Sequence, residues 1–226
     1  MPATATAGVA ACVRDRVLRS RNRFWRPTDF DGSRDAVEQA LRRLVDSDDL
    51  THPRRGLYWR GTKTPIGMAP PPAALLAKAV VTESRGMGPA AASAANALGL
   101  STQIPRLPVF AVPTRIPESV PSAIALVSRA ACRARVTVNP RAAEVALLEV
   151  LRDWNALVET DDAEAKRVVR SHFARGALRP DVLAKVAGTE PAPVPERLAE
   201  LLADCGYEQA AATVGRVSKT HAIIAK

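Results

Sequence analysis

The sequence contains few of the residues that support metal binding, disulfide formation or nucleophilic catalysis. It has 3 cysteines and 3 histidines among 226 residues, and aromatic residues make up 4% of the chain. These cysteines and histidines are Cys12, Cys132, Cys205, His52, His172 and His221. No CxxC, HExxH or mixed Cys/His spacing brings any of them together, so we predict no metal site and no disulfide framework. Isolated cysteines of this kind are typical of a reducing cytoplasm.

Sequence signatures of catalysis and of cofactor binding are missing as well. There is no GxxxxGK[ST] loop and no GxGxxG motif after a strand. Ser84, Ser93 and Ser101 have no nearby histidine to activate them, and Asp161 and Asp162 fit the acidic start of a helix. We therefore predict no catalytic residues and no cofactor, and we do not expect an enzyme. No apolar run reaches about 18 residues, so we expect no membrane contact and a cytoplasmic location.

Lysine is scarce and arginine is abundant, with 6 lysines and 26 arginines in a chain of net charge +9. Residues 1–68 carry a net charge of +5, residues 69–140 carry +5, and residues 141–226 carry −1. Six arginines lie between Arg14 and Arg26, where Asp15 is the only acidic residue. A positive field of this kind attracts phosphate polyanions. The nearly neutral last third is better suited to contact another protein.

The segment Phe24–Gly61 has the element order of a winged helix-turn-helix. Thr28 can cap a short helix that opens at Asp29, and Ser33 can cap a second helix over Arg34–Val45. In the second helix, apolar residues recur at spacings of three and four, which predicts one buried face. These residues are Val37, Ala40, Leu41 and Leu44. Two short strands then flank a tip at Pro53–Gly56, which predicts the wing.

A winged helix usually inserts its second helix into the major groove of DNA and lays its wing beside it. We therefore predict three groups of DNA contacts. The helix contributes Ser33, Arg34, Glu38, Gln39 and Arg42, the wing contributes Arg54 and Arg55, and the preceding segment contributes Arg19, Arg21 and Arg23. Each feature alone also fits an ordinary solvated surface, and only the ordered combination favours DNA binding.

The rest of the chain predicts a second, mixed α/β domain with a helical C-terminal half. The segment Thr62–Pro72 is rich in proline and glycine and separates a DNA-binding domain at 1–68 from an antitoxin or partner domain at 69–226. We predict the first helix of the chain over about residues 5–21. The second domain is expected to begin with helices at 73–84 and 90–98, the latter with Pro89 in its first turn.

Short strands and then helices are expected beyond residue 100. The strands are predicted at 109–112, 124–127 and 136–138. The helices are predicted at 141–159, 161–175, 181–187, 196–205 and 208–214, followed by a loose tail. The complete fold prediction is an α+β protein with an N-terminal winged helix.

Three phrases in this order resemble the AbiEi family of antitoxins from type IV toxin–antitoxin and abortive-infection systems. They are Arg55–Tyr58 (RGLY) at the wing, Leu76–Ala79 (LAKA) after a proline run, and Ser93–Pro105 (SAANALGLSTQIP). The similarity extends over roughly residues 10–115. RGLY alone is common among winged helices, and the SAANALGLSTQIP block is far more specific.

The resemblance implies a protein with two roles. The winged helix would repress its own operon by binding double-stranded promoter DNA, as a homodimer or as cooperative monomers. The C-terminal domain would counteract a cognate nucleotidyltransferase-like toxin, with or without direct contact. Two alternatives stay open: a stand-alone repressor with a sensing or interaction domain, and an enzyme or RNA-processing factor that uses the basic middle region.

Overall fold

The computed structural model describes the backbone of residues 8–224 and the side chains of residues 8–216. Two compact units make up the chain, Met1–Ala79 and Val80–Lys226. Residues 69–79, which are predicted from the sequence as part of the second domain, lie in the first unit by their contacts.

The first unit has the element order helix, strand, turn, helix and β-hairpin. Its elements are α1 Val9–Leu18, β1 Arg23–Trp25, a 3-10 turn Pro27–Asp29, α2 Arg34–Asp46, β2 Thr51–Arg54, β3 Leu57–Arg60, β4 Lys63–Thr64 and β5 Gly67–Met68. Helix α3, Ala73–Val80, follows and runs into the start of the second unit. This is the order of a winged helix in which the middle helix is reduced to a single 3-10 turn.

The wing sheet has the order β1–β3–β2, with both pairs antiparallel. Strand β2 lies at the edge, and its register with β3 shifts between Thr51 and Arg54. Pro53 lies inside this shift, and because proline lacks an N–H it is tolerated on an edge strand or at a bulge. The hairpin turns at Arg55–Gly56, where Gly56 adopts a φ of 73° that disfavours other residues.

Helix α2 forms as its sequence predicts. The Ser33 hydroxyl accepts a hydrogen bond from the Ala36 N–H at 3.4 Å, which caps the first turn. The four apolar residues of the predicted face are all buried. They pack with residues of α1 and of the wing sheet in one core, made of Val13, Val17, Trp25, Val37, Ala40, Leu41, Leu44, Leu50 and Tyr58. The outer face of α2 is left exposed at the protein surface.

The second unit is mostly helical and contains one small sheet. Its elements are β6 Gly88–Pro89, α4 Ala92–Leu98, β7 Val109–Val112, β8 Ala125–Ser128, α5 Ala134–Val138, α6 Ala142–Arg152, α7 Trp154–Leu157, α8 Asp162–Ala174, α9 Pro180–Ala187, α10 Val194–Asp204 and α11 Glu208–Ile224. Strand β7 is antiparallel to β6 and parallel to β8. The main core lies between α4, α6 and the helices from α8 onward, where Leu147, Leu148 and Leu183 are fully buried. The fold is therefore α+β with a mostly helical C-terminal half, as predicted.

Several local predictions are wrong. The segment 136–138 is helical, because Arg135 turns inward to a buried Glu190 carboxylate and Asn139, with a φ of 54°, ends the helix. Pro89 belongs to strand β6, opposite Phe110, and does not start a helix. Thr28 lies inside the 3-10 turn, whose Asp29 carboxylate accepts the Arg26 N–H at 2.7 Å.

Helix boundaries differ at both ends of the chain and within one long prediction. Helix α1 ends at Leu18, and the part predicted over residues 5–7 lies outside the described residues. The predicted loose tail is helical as far as Ile224, while the side chain of His221 lies outside the described part. The helix predicted over 141–159 is divided at Asp153 into α6 and α7. The connector 62–72 contains the β4–β5 hairpin.

Candidate nucleic-acid interface

A cleft of about 360 Å³ separates the outer face of α2 from the β2–β3 hairpin. It is lined by Arg34, Glu38, Arg42, Val45, His52, Arg55, Gly56 and Tyr58. The helix and the hairpin thus bring three arginines and one carboxylate to a single concave surface. Four of the ten predicted DNA contacts meet here: Arg34, Glu38, Arg42 and Arg55.

Arg34 and Glu38 form an ion pair across one turn of α2. The Arg34 Nε donates to Glu38 Oε1 at 2.8 Å, and 80% of the Arg34 side chain is exposed. The hydrogen bond from Arg34 lowers the pKa of Glu38, and the charges of Arg55 and Arg42 lower it further. Glu38 is therefore an ionised acceptor within a positive surface. Arg34 is held along the helix but stays accessible from outside.

His52 and Tyr58 line the cleft on the hairpin side. Their rings stack with centroids 4.7 Å apart and an interplanar angle of 22°. Partial burial of the imidazole and the nearby charge of Arg42 lower the pKa of His52. Burial also raises the pKa of Tyr58, so that its hydroxyl stays protonated. From the sequence these two residues are predicted only as parts of the strands that flank the wing tip. The pairing of those two strands was the signal that could have placed them beside the arginines.

The remaining predicted contacts on α2 and the wing lie beside the cleft lining. Ser33 is exposed and caps α2, and Gln39 is exposed on the neighbouring face of the helix. Arg54 is the last residue of β2, paired with Leu57, and is only half-exposed. Arg55 occupies the turn and is exposed. The two adjacent arginines therefore differ in accessibility, with Arg55 at the tip.

The arginines before α2 lie apart from the cleft. Arg19 is paired with Asp15 at 3.0 Å, and Arg21 is exposed after α1. The Arg23 guanidinium stacks over the Trp25 ring at 4.1 Å. Arg23 is also opposite Arg60 in the sheet, at the end of β3 away from the hairpin tip. Cation–π stacking of this kind stabilises the fold, so this part of the basic segment has a structural role that charge counting does not reveal.

Two further arginines of this segment hold the fold of the first unit together. Arg16 donates to the Asp29 carbonyl at 2.7 Å and lies 5.5 Å from the Trp25 and Phe30 ring centroids. Arg26 donates to the Ala79 carbonyl at 2.6 Å. These contacts tie the turn before α2 to α1 and to α3.

The cleft has the chemistry of a surface that binds polyanions and base edges. Guanidinium groups bind phosphates and guanine, and a carboxylate can accept from cytosine. Within residues 8–224, no helix is long and apolar enough to cross a membrane. In the same described part, no three His, Cys, Asp or Glu side chains are grouped so that they could hold a metal ion.

The first unit has the fold of a winged helix. Comparisons with known proteins give a family match for part of the chain. Residues 27–114 match the model of a family described as a family of unknown function, DUF6088. No curated protein matches the chain.

A solved structure covers most of the chain. The crystal structure of the RV2827C protein from Mycobacterium tuberculosis is similar with a TM-score of 0.50 and 18% sequence identity. The match covers 95% of this chain and 82% of that chain. At this identity the similarity concerns the fold, which is therefore shared by a protein of known structure.

Proposed function

We propose that this protein binds double-stranded promoter DNA through α2 and the β2–β3 hairpin, and that it represses its own operon as the antitoxin of a type IV toxin–antitoxin system. The observation that supports DNA binding is the cleft, where Arg34, Arg42 and Arg55 meet on one concave surface. The major groove of DNA is wide enough to admit one α-helix, and α2 presents its exposed outer face for such an insertion.

Within this proposal, the helix and the wing have different tasks. Arg34, Glu38, Gln39 and Arg42 face base edges and specify sequence, whereas Arg55 binds phosphate or enters the minor groove. Ser33 and Arg54 lie at the border of these two groups. Phosphate contacts position a protein on the duplex, and base contacts determine which sequence it prefers. Arg19, Arg21 and Arg23 remain proposed phosphate contacts on a more distant surface.

The antitoxin role rests on the resemblance of the RGLY, LAKA and SAANALGLSTQIP segments to AbiEi proteins. In this proposal the second unit counteracts a nucleotidyltransferase-like toxin in the cytoplasm, and the protein itself catalyses no reaction. The protein would occupy its promoter as a homodimer or as cooperative monomers. The net charge of −1 over residues 141–226 suits a protein partner better than a nucleic acid.

DNA binding is tested by titrating the full chain against a duplex of its own upstream region and against a shuffled duplex. Arg42→Gln removes a guanidinium from the cleft, and Arg43→Gln removes one from the same helix outside the cleft lining. We expect Arg42→Gln to weaken binding to the upstream duplex by about tenfold or more, since one good base contact contributes about 1–3 kcal/mol. Equal losses in the two variants contradict the proposed interface.

The antitoxin role is tested separately by co-expression with the neighbouring gene from an unrelated promoter. We expect the full chain to restore growth, and we expect Arg34→Gln/Arg42→Gln/Arg55→Gln to restore it equally, because antagonism is assigned to the second unit. Failure of the intact chain to restore growth contradicts the antitoxin role and leaves the DNA-binding result unaffected.

The second candidate function is a stand-alone winged-helix repressor whose second unit senses a small molecule. The observation that favours it is an open cavity of about 580 Å³, which is lined by residues 128–132, Arg152 and residues 188–191. This candidate predicts that a small ligand changes affinity for the upstream duplex and that no toxin is encoded nearby.

A further inference from the structure

Five charged side chains form a continuous ion-pair cluster in the second unit. Arg129 contacts Glu149 at 2.7 Å, and Arg135 contacts Glu149 at 2.8 Å and Glu190 at 2.6 Å. Arg152 then contacts Glu190 at 2.5 Å. These residues come from the end of β8, from α5, from α6 and from the turn after α9, so the cluster joins four parts of the fold. We call it the arginine cluster.

The arginine cluster has one positive charge in excess, since three guanidinium groups face two carboxylates. Arg135 and Glu190 are fully buried and Glu149 is 2% exposed, so water compensates little of this charge. Arg129 and Arg152 are the accessible members, 22% and 16% exposed. An excess charge in such a place costs free energy unless a counter-charge is nearby.

Two buried guanidinium nitrogens of the cluster donate no hydrogen bond within the described residues. They are Arg135 Nη1 and Arg152 Nε. Arg135 Nη1 lies close to the Glu149 carboxylate, but the contact lacks the direction of a hydrogen bond. Arg152 Nε is 3.5 Å from the same carboxylate. Both nitrogens are buried and lie against Glu149, so this one carboxylate is the acid that they share.

An open cavity of about 580 Å³ lies against the accessible side of the arginine cluster. It is lined by Ser128, Arg129, Ala130, Ala131, Cys132, Arg152, Gly188, Thr189, Glu190 and Pro191. Its volume is within the range of small-molecule sites, about 300–1,000 Å³. It also lies beyond the carboxyl end of β8, the strand that is parallel to β7.

We propose that this cavity binds a small phosphate-bearing anion between Arg129 and Arg152. The anion would supply the missing negative charge beside Arg129 and Arg152, the two accessible members of the cluster. The Nε/Nη2 edge of Arg129 is already bonded to Glu149, and Arg152 Nη2 is bonded to Glu190. The phosphate would therefore be held mainly by the positive charge of the two guanidinium groups. The site shares no residue with the DNA-binding cleft, because its residues belong to the second unit and those of the cleft to the first.

Cys132 lines the cavity but is not assigned a chemical role in it. Its thiol contacts Arg152 at 3.2 Å and Glu190 at 3.5 Å, and burial raises its pKa. A thiol that stays protonated is a poor nucleophile, so no covalent step is assigned to Cys132.

The test is a calorimetric titration of the full chain with pyrophosphate. The ionic strength is held constant, because dissolved salt screens the charges of the arginines. Citrate and ATP are the parallel arms: citrate offers carboxylates in place of phosphate, and ATP offers phosphate joined to a nucleoside. We expect saturable one-to-one binding of pyrophosphate. Tighter binding of ATP identifies a nucleotide as the source of the phosphate, and tighter binding of pyrophosphate identifies an inorganic one.

Two matched pairs of variants locate the binding. Arg129→Gln removes a guanidinium that lines the cavity. Arg133→Gln is its control, because it removes the next arginine in the sequence, which is exposed and outside the cavity lining. Ala131→Glu adds a carboxylate to the cavity rim without touching the ion pairs, and Thr137→Glu adds one to an exposed face of α5. We expect Arg129→Gln and Ala131→Glu to weaken pyrophosphate binding by about tenfold or more, because the positive charge that holds the phosphate is lost or opposed. Arg133→Gln and Thr137→Glu should keep the parental affinity.

Arg55→Gln separates this site from the DNA-binding cleft. We expect it to bind pyrophosphate as the parent chain does. Loss of binding in Arg55→Gln, with binding retained in Ala131→Glu, would place the anion in the cleft and overturn the proposal. Citrate binding more tightly than pyrophosphate, or the absence of saturable binding in every arm, overturns it as well.

Discussion

Arg34 Nε donates a hydrogen bond to Glu38 Oε1 at 2.8 Å, so that the first and fifth residues of α2 hold each other on its exposed face. The charges of Arg42 on the helix and of Arg55 on the wing lower the pKa of Glu38 as well. This single carboxylate therefore orients Arg34 and lies in the positive field of Arg42 and Arg55. In the proposed complex, it offsets part of the attraction for phosphate and favours particular base pairs.

The first prediction concerns Glu38→Gln. Removing the negative charge should strengthen binding to any duplex, because the cleft then has three positive charges and no acid. Preference for the upstream duplex over a shuffled one should fall by about tenfold, since a good base contact discriminates by about 1–3 kcal/mol. Both affinities are measured in the same titration series.

Asp46→Asn is the control for Glu38→Gln. It removes an acid from the opposite end of the same helix, where the side chain is exposed and lies outside the cleft lining. It should change the two affinities equally and leave the preference intact. An unchanged preference in Glu38→Gln would assign Glu38 to the solvated surface.

The second prediction concerns Arg55→Ala at the wing tip. A phosphate contact should weaken binding to all sequences to a similar degree and should lower the salt slope of log affinity by about 1. Arg115→Ala, exposed in a loop of the second unit, removes the same charge at another place. Affinity is measured over a range of salt concentrations. A sequence-dependent loss in Arg55→Ala would instead assign this residue to base recognition.

The third prediction concerns the pH dependence of DNA binding. Partial burial and the charge of Arg42 lower the pKa of His52, so the free protein favours the neutral ring. This contribution to folding stability is present above the unfolded value of about 6.5 and is lost as pH falls through the lower folded value. Phosphates near the cleft should raise the pKa of His52, and DNA binding should then take up a proton.

Affinity for the duplex should therefore rise as pH is lowered below about 6.5, more steeply in the parent chain than in His52→Gln. The measurement is a DNA titration at several pH values and constant ionic strength. Identical pH profiles for the two proteins would show that His52 does not sense the duplex.

The fourth prediction concerns Ser33, whose cap and DNA contact can be separated. Ser33→Ala removes the acceptor for the Ala36 N–H and should cost about 1 kcal/mol of unfolding free energy. Ser33→Asp keeps an acceptor and adds a charge that the helix dipole favours, so stability should be retained. The added charge should nevertheless weaken DNA binding. Urea unfolding and DNA titration are measured for both variants; parallel changes in the two assays would contradict this separation.

Helix α2 could be predicted because its determinants are local. Ser33, the apolar spacing and the hairpin turn act within a few residues of each other, and these local signals agree with the tertiary packing. The sequence also predicts part of the cleft lining, because both α2 and the wing tip can be recognised from it. His52 and Tyr58 were missed because their place in the cleft depends on the tertiary placement of the hairpin beside α2.

The arginine cluster could not be predicted, because its contacts join residues that are far apart in sequence. Arg135 meets Glu190, 55 residues away. The segment Ala134–Val138 alternates like a strand, yet it is helical and places Arg135 against this distant carboxylate. The same holds for Arg23, whose stacking on Trp25 is invisible to a count of charges. Tertiary context overrides local propensity at these positions.

The last prediction concerns Glu190→Gln in the arginine cluster. The substitution keeps the size of the side chain but removes a fully buried carboxylate, which leaves Arg135 and Arg152 facing one another with Glu149 as their remaining acid. Removing one partner of a buried ion pair typically costs about 3–5 kcal/mol. The loss is measured as the change in unfolding free energy, by urea denaturation followed with far-ultraviolet circular dichroism.

Glu164→Gln is the matched control, because Glu164 pairs with an Arg167 side chain that is 74% exposed. An exposed pair contributes about 0–1 kcal/mol, so this variant should unfold almost as the parent does. Pyrophosphate should moreover stabilise Glu190→Gln more than it stabilises the parent, since the cluster then lacks two negative charges. A loss no larger than that of Glu164→Gln would show that water reaches Arg135 and Arg152 freely, and that the cluster has no uncompensated charge for an anion to neutralise.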